Sequence, residues 1–222
     1  MVGLVAGIGL WILSERWATA LLVVSPGEAN AGVQGGGAGD GRVQPLRSAF
    51  FVVFVGGCGL YAALAAARFG GDATELVTTL GLAACLTAVL LIDARTRLIP
   101  NVLLGIGAAA GLGVAALAGP YTFVRHAAAA VGAALVFGLL WKAASLVWQG
   151  SAEAPFGEGD VFLAGTIGAM VGLPEIAQAL FLGAVLAGAA SLAAVALRRV
   201  ERHEVIPYGP FLCLGGLVTL LR

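Results

Sequence analysis

Charge is scarce in this chain. Asp, Glu, Lys and Arg make up 11% of its 222 residues, against 60% hydrophobic. A soluble domain averages about 25% charged and about 45–50% apolar. With a mean hydropathy of +0.99, the composition is that of an integral membrane protein. Cysteine is nearly absent: Cys58, Cys85 and Cys213 lie far apart, each inside an apolar run, with no CxxC. That excludes a zinc ribbon and a thioredoxin-like motif, and it predicts buried spectator thiols. Lys142 is the only lysine and no GxxxxGK surrounds it, so a P-loop is excluded. No GxSxG is present, which argues against a nucleophile elbow. His203-Glu204 starts like HExxH but continues Val205-Ile206-Pro207, without the second zinc ligand. No metal and no cofactor is expected. The net charge is zero, so no nucleic-acid partner is expected.

What is present is a series of apolar runs near the roughly 20 residues that cross hydrocarbon. They lack the period-2 alternation of an outer-membrane barrel. The expected fold is therefore all-α, a polytopic transmembrane helical bundle of about eight spans. These fall near residues 2–22, 48–67, 74–92, 99–118, 127–148, 161–173, 175–197 and 206–221. The first is interrupted by Glu15-Arg16 and is read as a retained helix (1–24) with an interfacial end, since it lacks the positive start of a signal peptide. Residues 25–47 are polar and glycine-rich and read as a flexible loop. Residues 48–222 form the membrane-embedded domain.

Basic residues set the orientation. Arg42 and Arg47, Arg95 and Arg97, and Arg198, Arg199 and Arg202 sit in loops on one side, and Lys142 snorkels towards it. The opposite loops hold only Arg68 and Arg125. The positive-inside rule puts the first set in the cytoplasm and both termini outside. Gly107-xxx-Gly111 and Gly168-xxx-Gly172 are small-xxx-small patterns that allow helices to approach closely.

Two acids stand out. Asp93 closes the run from Ala83 to Ile92, and Asp160 opens the run that begins at Val161. A carboxylate at the edge of a span is costly to desolvate, so it has a partner or a task. Both fall on the predicted cytoplasmic face, as a paired acid/base site requires. Two carboxylates sharing one proton can hydrolyse a peptide: the ionised member takes a proton from water and the protonated member polarises the carbonyl. Gly157 and Gly159 suit close approach of a substrate backbone, and Pro100 suits the first turn of the span after Asp93. Glu153 and Glu158 make the loop before Asp160 acidic, either simply solvated or attracting a basic peptide. Other readings stand beside this one. Asp160 is also well placed as an N-cap, and membrane carboxylates also serve as proton relays. A small proton-coupled transporter or channel with an acidic cytoplasmic mouth is thus the alternative, although no internal repeat is visible and the acids lie at boundaries.

Three segments carry a resemblance. Asp-Ala-Arg-Thr-Arg-Leu-Ile-Pro-Asn at 93–101 resembles the D-x5-I-P-N segment of the type IV prepilin peptidases. Gly157-Glu158-Gly159-Asp160-Val161-Phe162-Leu163 is similar to their GxGDxxL segment, and Ile206-Pro207-Tyr208-Gly209-Pro210-Phe211-Leu212 to their I-P-[FY]-G-P-F-L segment. The resemblance covers residues 48–222. It implies a membrane aspartyl endopeptidase with Asp93 and Asp160 as the catalytic pair. Gly157, Glu158, Gly159, Pro100, Asn101, Pro207, Gly209 and Pro210 would support the site or bind substrate. The implied partners are pilin-like or pseudopilin precursors in the lipid bilayer, cut at the cytoplasmic face of the inner membrane. An inactive relative that holds such precursors without cutting them is a third reading. Many members carry Lys where this chain has Phe162. Longer bacterial members also carry a paired-CxxC domain between the first two spans and N-methylate the product. Residues 25–47 contain no cysteine, so cleavage without methyl transfer is expected.

Overall fold

A computed structural model describes residues 43–96, 98–147, 157–196 and 208–222. Among these, every regular element is a helix: α1 (Val43–Phe69), α2 (Ala73–Thr96), α3 (Asn101–Ala118), α4 (Pro120–Val147), α5 (Glu158–Val171), α6 (Glu175–Ala196) and α7 (Gly209–Leu220). Four stretches are long and apolar enough to cross a membrane: Ala73–Ala94, Asn101–Ala118, Pro120–Leu146 and Glu175–Ala193. Two more, Val55–Phe69 and Gly209–Leu220, are apolar but shorter, and α5 has only 14 residues. The expected all-helical membrane architecture is present, but a count of eight spans with both termini outside is not supported. The expected first span, and Glu153, Arg198, Arg199, Arg202, His203, Glu204 and Pro207, lie outside the described residues.

Boundaries shift by a few residues, each for a local reason. α1 begins at Val43, inside the segment expected to be a loop to residue 47. α4 begins at Pro120 rather than near 127, because proline fits the first turn of a helix, where its missing N–H is no loss. Gly119, at φ 126°, makes the reversal from α3, a conformation that favours glycine. Pro100 is the N-cap of α3 rather than its first helical residue, with φ −74° and ψ 107°.

The chain divides into two compact units, residues 1–76 and 77–222. In the first, α1 ends at the expected Gly70-Gly71-Asp72 turn. Asp72 Oδ1 accepts the N–H groups of Thr74 (2.8 Å) and Glu75 (3.2 Å), capping the start of α2.

In the second unit α5 is the hub, packing on α3, α4, α6 and α7. Its Leu163, Ala164, Ile167 and Ala169 are fully buried. Small residues make this possible. A Cβ on Gly168 would stand 2.6 Å from Ala129 O on α4, and one on Gly111 of α3 would stand 2.5 Å from Ala169 O on α5. Gly107 faces Met170, Cys85 and Thr166. Helices with little polar surface have no apolar driving force in lipid and associate by such close packing. Gly172 does not continue the pattern: it ends α5 at φ 74°, against the His126 ring. Hydroxyls in this apolar setting bond back to their own helix, as Thr87 does to Ala83 O (2.6 Å) and Thr219 to Gly215 O (2.9 Å).

Away from the acids, α4 is tied to the α5–α6 junction. Arg125 donates to Leu173 O and pairs with Glu175 at 3.3 Å, and His126 Nδ1 donates to Ala169 O at 2.9 Å.

Candidate active site

Asp93 comes from the last turn of α2 and Asp160 from the first turn of α5. The fold brings both to one end of the second unit, where the charge of Asp160 reaches Asp93. Both are buried; Asp93 is 4% exposed and Asp160 9%. Exposed carboxylates are ordinary, but buried ones are almost always paired.

Their surroundings differ. Asp160 Oδ2 accepts the N–H of Gly157 at 3.1 Å, and Asp160 N–H donates to Gly157 O at 3.1 Å. The capping expectation is therefore correct in kind but shifted in place. Gly157 is the N-cap of α5, and Asp160 reaches back to it from the third helical position. A negative charge in a first helical turn is also favoured by the helix dipole. Burial raises the Asp160 pKa above the ordinary carboxylate value, and the Gly157 N–H opposes that shift.

Asp93 has none of this support in view. Its Oδ2 is buried and has no hydrogen-bond partner among the described residues. That oxygen rests against Gly209, the first residue of α7: a Cβ at Gly209 would collide with it. The approach needs a residue without a side chain, which is the physical role of Gly209 here.

Ile99 joins the pieces. A Cβ on Gly159 would lie 3.1 Å from Ile99 Cδ1 and 3.2 Å from Ile99 Cβ, and one on Gly209 would lie 3.4 Å from Ile99 Cδ1. The Ile99 side chain thus fills the space over both glycines. The open backbone expected at Gly159 faces this side chain, whereas a Cβ on Gly157 would meet only Gly159 N, at 3.9 Å. Pro100 is half-buried and Asn101 exposed at the start of α3, Glu158 is exposed, and Pro210 is half-buried in the first turn of α7.

Two further residues border the acids and were not singled out by sequence reasoning. Tyr208, the N-cap of α7, packs its ring 6.3 Å from that of Phe137. Burial and then the charge of Asp160 push its phenol pKa up. Cys213, fully buried on α7, lies within electrostatic reach of both aspartates. Tyr208 and Ile99 were visible as members of quoted segments. Cys213 gave no signal beyond its apolar run. Of the other thiols, Cys85 is half-buried and donates to Leu103 O at 3.4 Å, and Cys58 is half-buried. Phe162 is 56% exposed.

This arrangement offers two buried carboxyls and two glycine-bearing backbone segments, at Gly157–Gly159 and at Gly209. A pair of this kind supports proton exchange with a water or carbonyl oxygen held between its members.

Comparison with known proteins bears on the same residues. Residues 80–192, which include Asp93 and Asp160, match the type IV leader peptidase family. The chain is 34% identical over 162 residues to the prepilin leader peptidase/N-methyltransferase of Burkholderia pseudomallei strain 1026b, and equally to that of strain K96243. The match covers 73% of this chain and 51% of each relative, so the chain spans about half the length of the curated relatives it matches. No solved structure matches it.

Proposed function

The chain belongs to the type IV leader peptidase family, and from that premise we propose that it is a membrane aspartyl endopeptidase. It cleaves the basic leader from pilin-like or pseudopilin precursors at the cytoplasmic face of the inner membrane. One observation carries this reading: Asp93 and Asp160, from segments far apart in sequence, are both buried at one end of the unit and close enough to interact.

The chemistry follows from the pair sharing one proton, because two like charges at short range do not both ionise. The ionised carboxylate takes a proton from water as the water oxygen bonds to the scissile carbonyl carbon. The protonated carboxyl gives its proton to the carbonyl oxygen. Collapse of the resulting diol breaks the C–N bond, the departing nitrogen takes up a proton, and the pair again holds one. Water is consumed, and a new carboxyl and a new amine are formed.

The basic residues Arg42, Arg47, Arg95, Arg97 and Lys142 support a cytoplasmic position for this end by the positive-inside rule. A precursor with its apolar helix in the bilayer presents its scissile bond at that depth. Glu158 begins α5 beside Asp160 and is exposed; with Glu153 it attracts the leader's basic residues. Exposed pairs contribute about 0–1 kcal/mol each, so they steer rather than hold. Because residues 25–47 contain no cysteine, the reading is cleavage without methyl transfer.

The test is cleavage of a candidate precursor by membranes containing the protein. Asp93→Asn and Asp160→Asn should each lower the rate at least about 100-fold, the lower range for loss of a general acid or base, while membrane insertion persists. Mass spectrometry of the product should show no added methyl group. Substantial processing by either variant removes the pair from the chemistry.

A further inference from the structure

We propose that Ile99 is a positioning residue: wedged between the backbones of Gly159 and Gly209, it sets the separation of the two aspartates. The inference rests on the aspartyl reading above for its effect on cleavage, but its geometry stands by itself. Asp160 follows Gly159 on α5, and the Asp93 carboxyl rests on Gly209 of α7. Whatever holds Gly159 and Gly209 apart therefore holds the carboxyls apart. The side chain in contact with both is Ile99, whose Cδ1 is the atom nearest each glycine's missing Cβ, at 3.1 Å for Gly159, and at 3.4 Å for Gly209 once Asp93 itself is set aside.

The wedge is stiff. Ile is branched at Cβ, which restricts its first side-chain torsion. The backbone of a residue before proline is confined to the extended region. Pro100 then caps α3, its carbonyl accepting the N–H groups of Leu103 and Leu104 at 3.0 and 3.2 Å. On the other side Leu98 N–H donates to Thr96 Oγ1 at 3.3 Å, and Thr96 Oγ1 donates to Ile92 O at 2.8 Å. The four-residue link between α2 and α3 (97–100) is thus tied at both ends, with Ile99 pointing between α5 and α7. It is also short, so Ile99 cannot withdraw without moving the end of α2 that carries Asp93.

Carboxyl separation has a direct readout. The interaction of two charges falls with distance, and a coupled pair titrates in two steps that draw together as the coupling weakens. Among the described residues, the other titratable groups around the pair are Tyr208 at the N-cap of α7, Cys213 on α7, Cys85 on α2 and Glu158 on α5. They are present in every variant, so a difference between variants reports the aspartates. A displacement of about 1 Å is enough to cost on the order of 100-fold in rate.

The experiment uses the full chain in detergent. Infrared spectra of the carboxyl band are recorded across pH, with Asp93→Asn and Asp160→Asn assigning the steps, alongside pH–rate profiles with a precursor. Ile99→Val removes only the terminal methyl that meets Gly209 and keeps the fold testable should Ile99→Ala be unstable. We expect Ile99→Val to lower kcat about tenfold and Ile99→Ala about 100-fold, with KM within about twofold. A smaller wedge lets the carboxyls approach, so the two carboxyl titrations should move apart in the same order. Ile106→Ala, on the exposed side of α3, should change neither. Diverging titrations support the wedge even if no precursor is cut, which would count against the peptidase reading alone. Unchanged or converging titrations in folded Ile99→Val and Ile99→Ala, or a loss of activity matched by a loss of folded protein, would overturn it.

Discussion

Asp93 Oδ2 is a buried acceptor with no hydrogen-bond partner among the described residues, and it lies where a Cβ at Gly209 would go. A methyl group there has to displace the carboxyl or the start of α7. Overpacking of this kind costs about 1–3 kcal/mol. Gly209→Ala should therefore lower the midpoint of thermal unfolding and reduce cleavage together, read by melting in detergent and by the precursor assay. Asp160 makes a separate prediction. Burial raises its pKa above 3.8 in the folded state. A carboxyl so shifted contributes its full share of stability below its unfolded value, where it is neutral in both states. That share is lost as pH rises through the folded value. Melting curves of the native chain should fall in that window, above pH 3.8, relative to Asp160→Asn, which has no proton to lose. Parallel curves would show that burial does not govern this group.

At the scale of elements, α5 sits at the centre because its glycine and alanine positions let neighbours reach its backbone. The crossing with α4 is the clearest case, since a Cβ on Gly168 would meet Ala129 O, Ala129 C and Ala130 N at 2.6, 2.7 and 2.8 Å. Gly168→Ala should destabilise by about 1–3 kcal/mol through overpacking, outweighing the gain of roughly 0.5–1 kcal/mol from replacing a helical glycine. Gly113 on α3 has nothing within 4 Å of its Cβ position. Gly113→Ala should be neutral or mildly stabilising, and thermal unfolding of the two variants side by side checks the contrast. The small-xxx-small pattern was legible in the sequence at Gly107, Gly111 and Gly168. Gly172 looked the same but serves as a helix end with a positive φ, because spacing alone does not tell a packing glycine from a terminating one. Helix ends were legible where proline, glycine or aspartate marks them, as at Asp72 and Gly119. They slipped at Pro120, since the run from Tyr121 to His126 has too little apolar character to announce a helix.

For the whole molecule, orientation is the open physical quantity. The count of basic residues predicts that the α2–α3 link, with Arg95 and Arg97, faces the cytoplasm, and that the α3–α4 link at Gly119 faces the other side. Single cysteines introduced at Leu98 and at the exposed Tyr121, in a background with the native thiols replaced, should label differently with an impermeant reagent in whole cells. The position 121 thiol should react from outside and the position 98 thiol only after permeabilisation, and the reverse result would invert the topology. The sequence by itself determined the membrane class, the all-helical character and the three segments that suggest the family. Those depend on composition and local pattern, which a linear chain displays. It also marked Asp93 and Asp160, because charge at the edge of an apolar run is costly wherever the chain goes. Only the tertiary structure decided that the two acids lie within electrostatic reach at one end of the unit and that Asp93 rests on Gly209. It alone revealed that Ile99, an ordinary apolar residue in a short link, lies over both site glycines. These are contacts between segments far apart in sequence, and their energies depend on distances that no local pattern encodes.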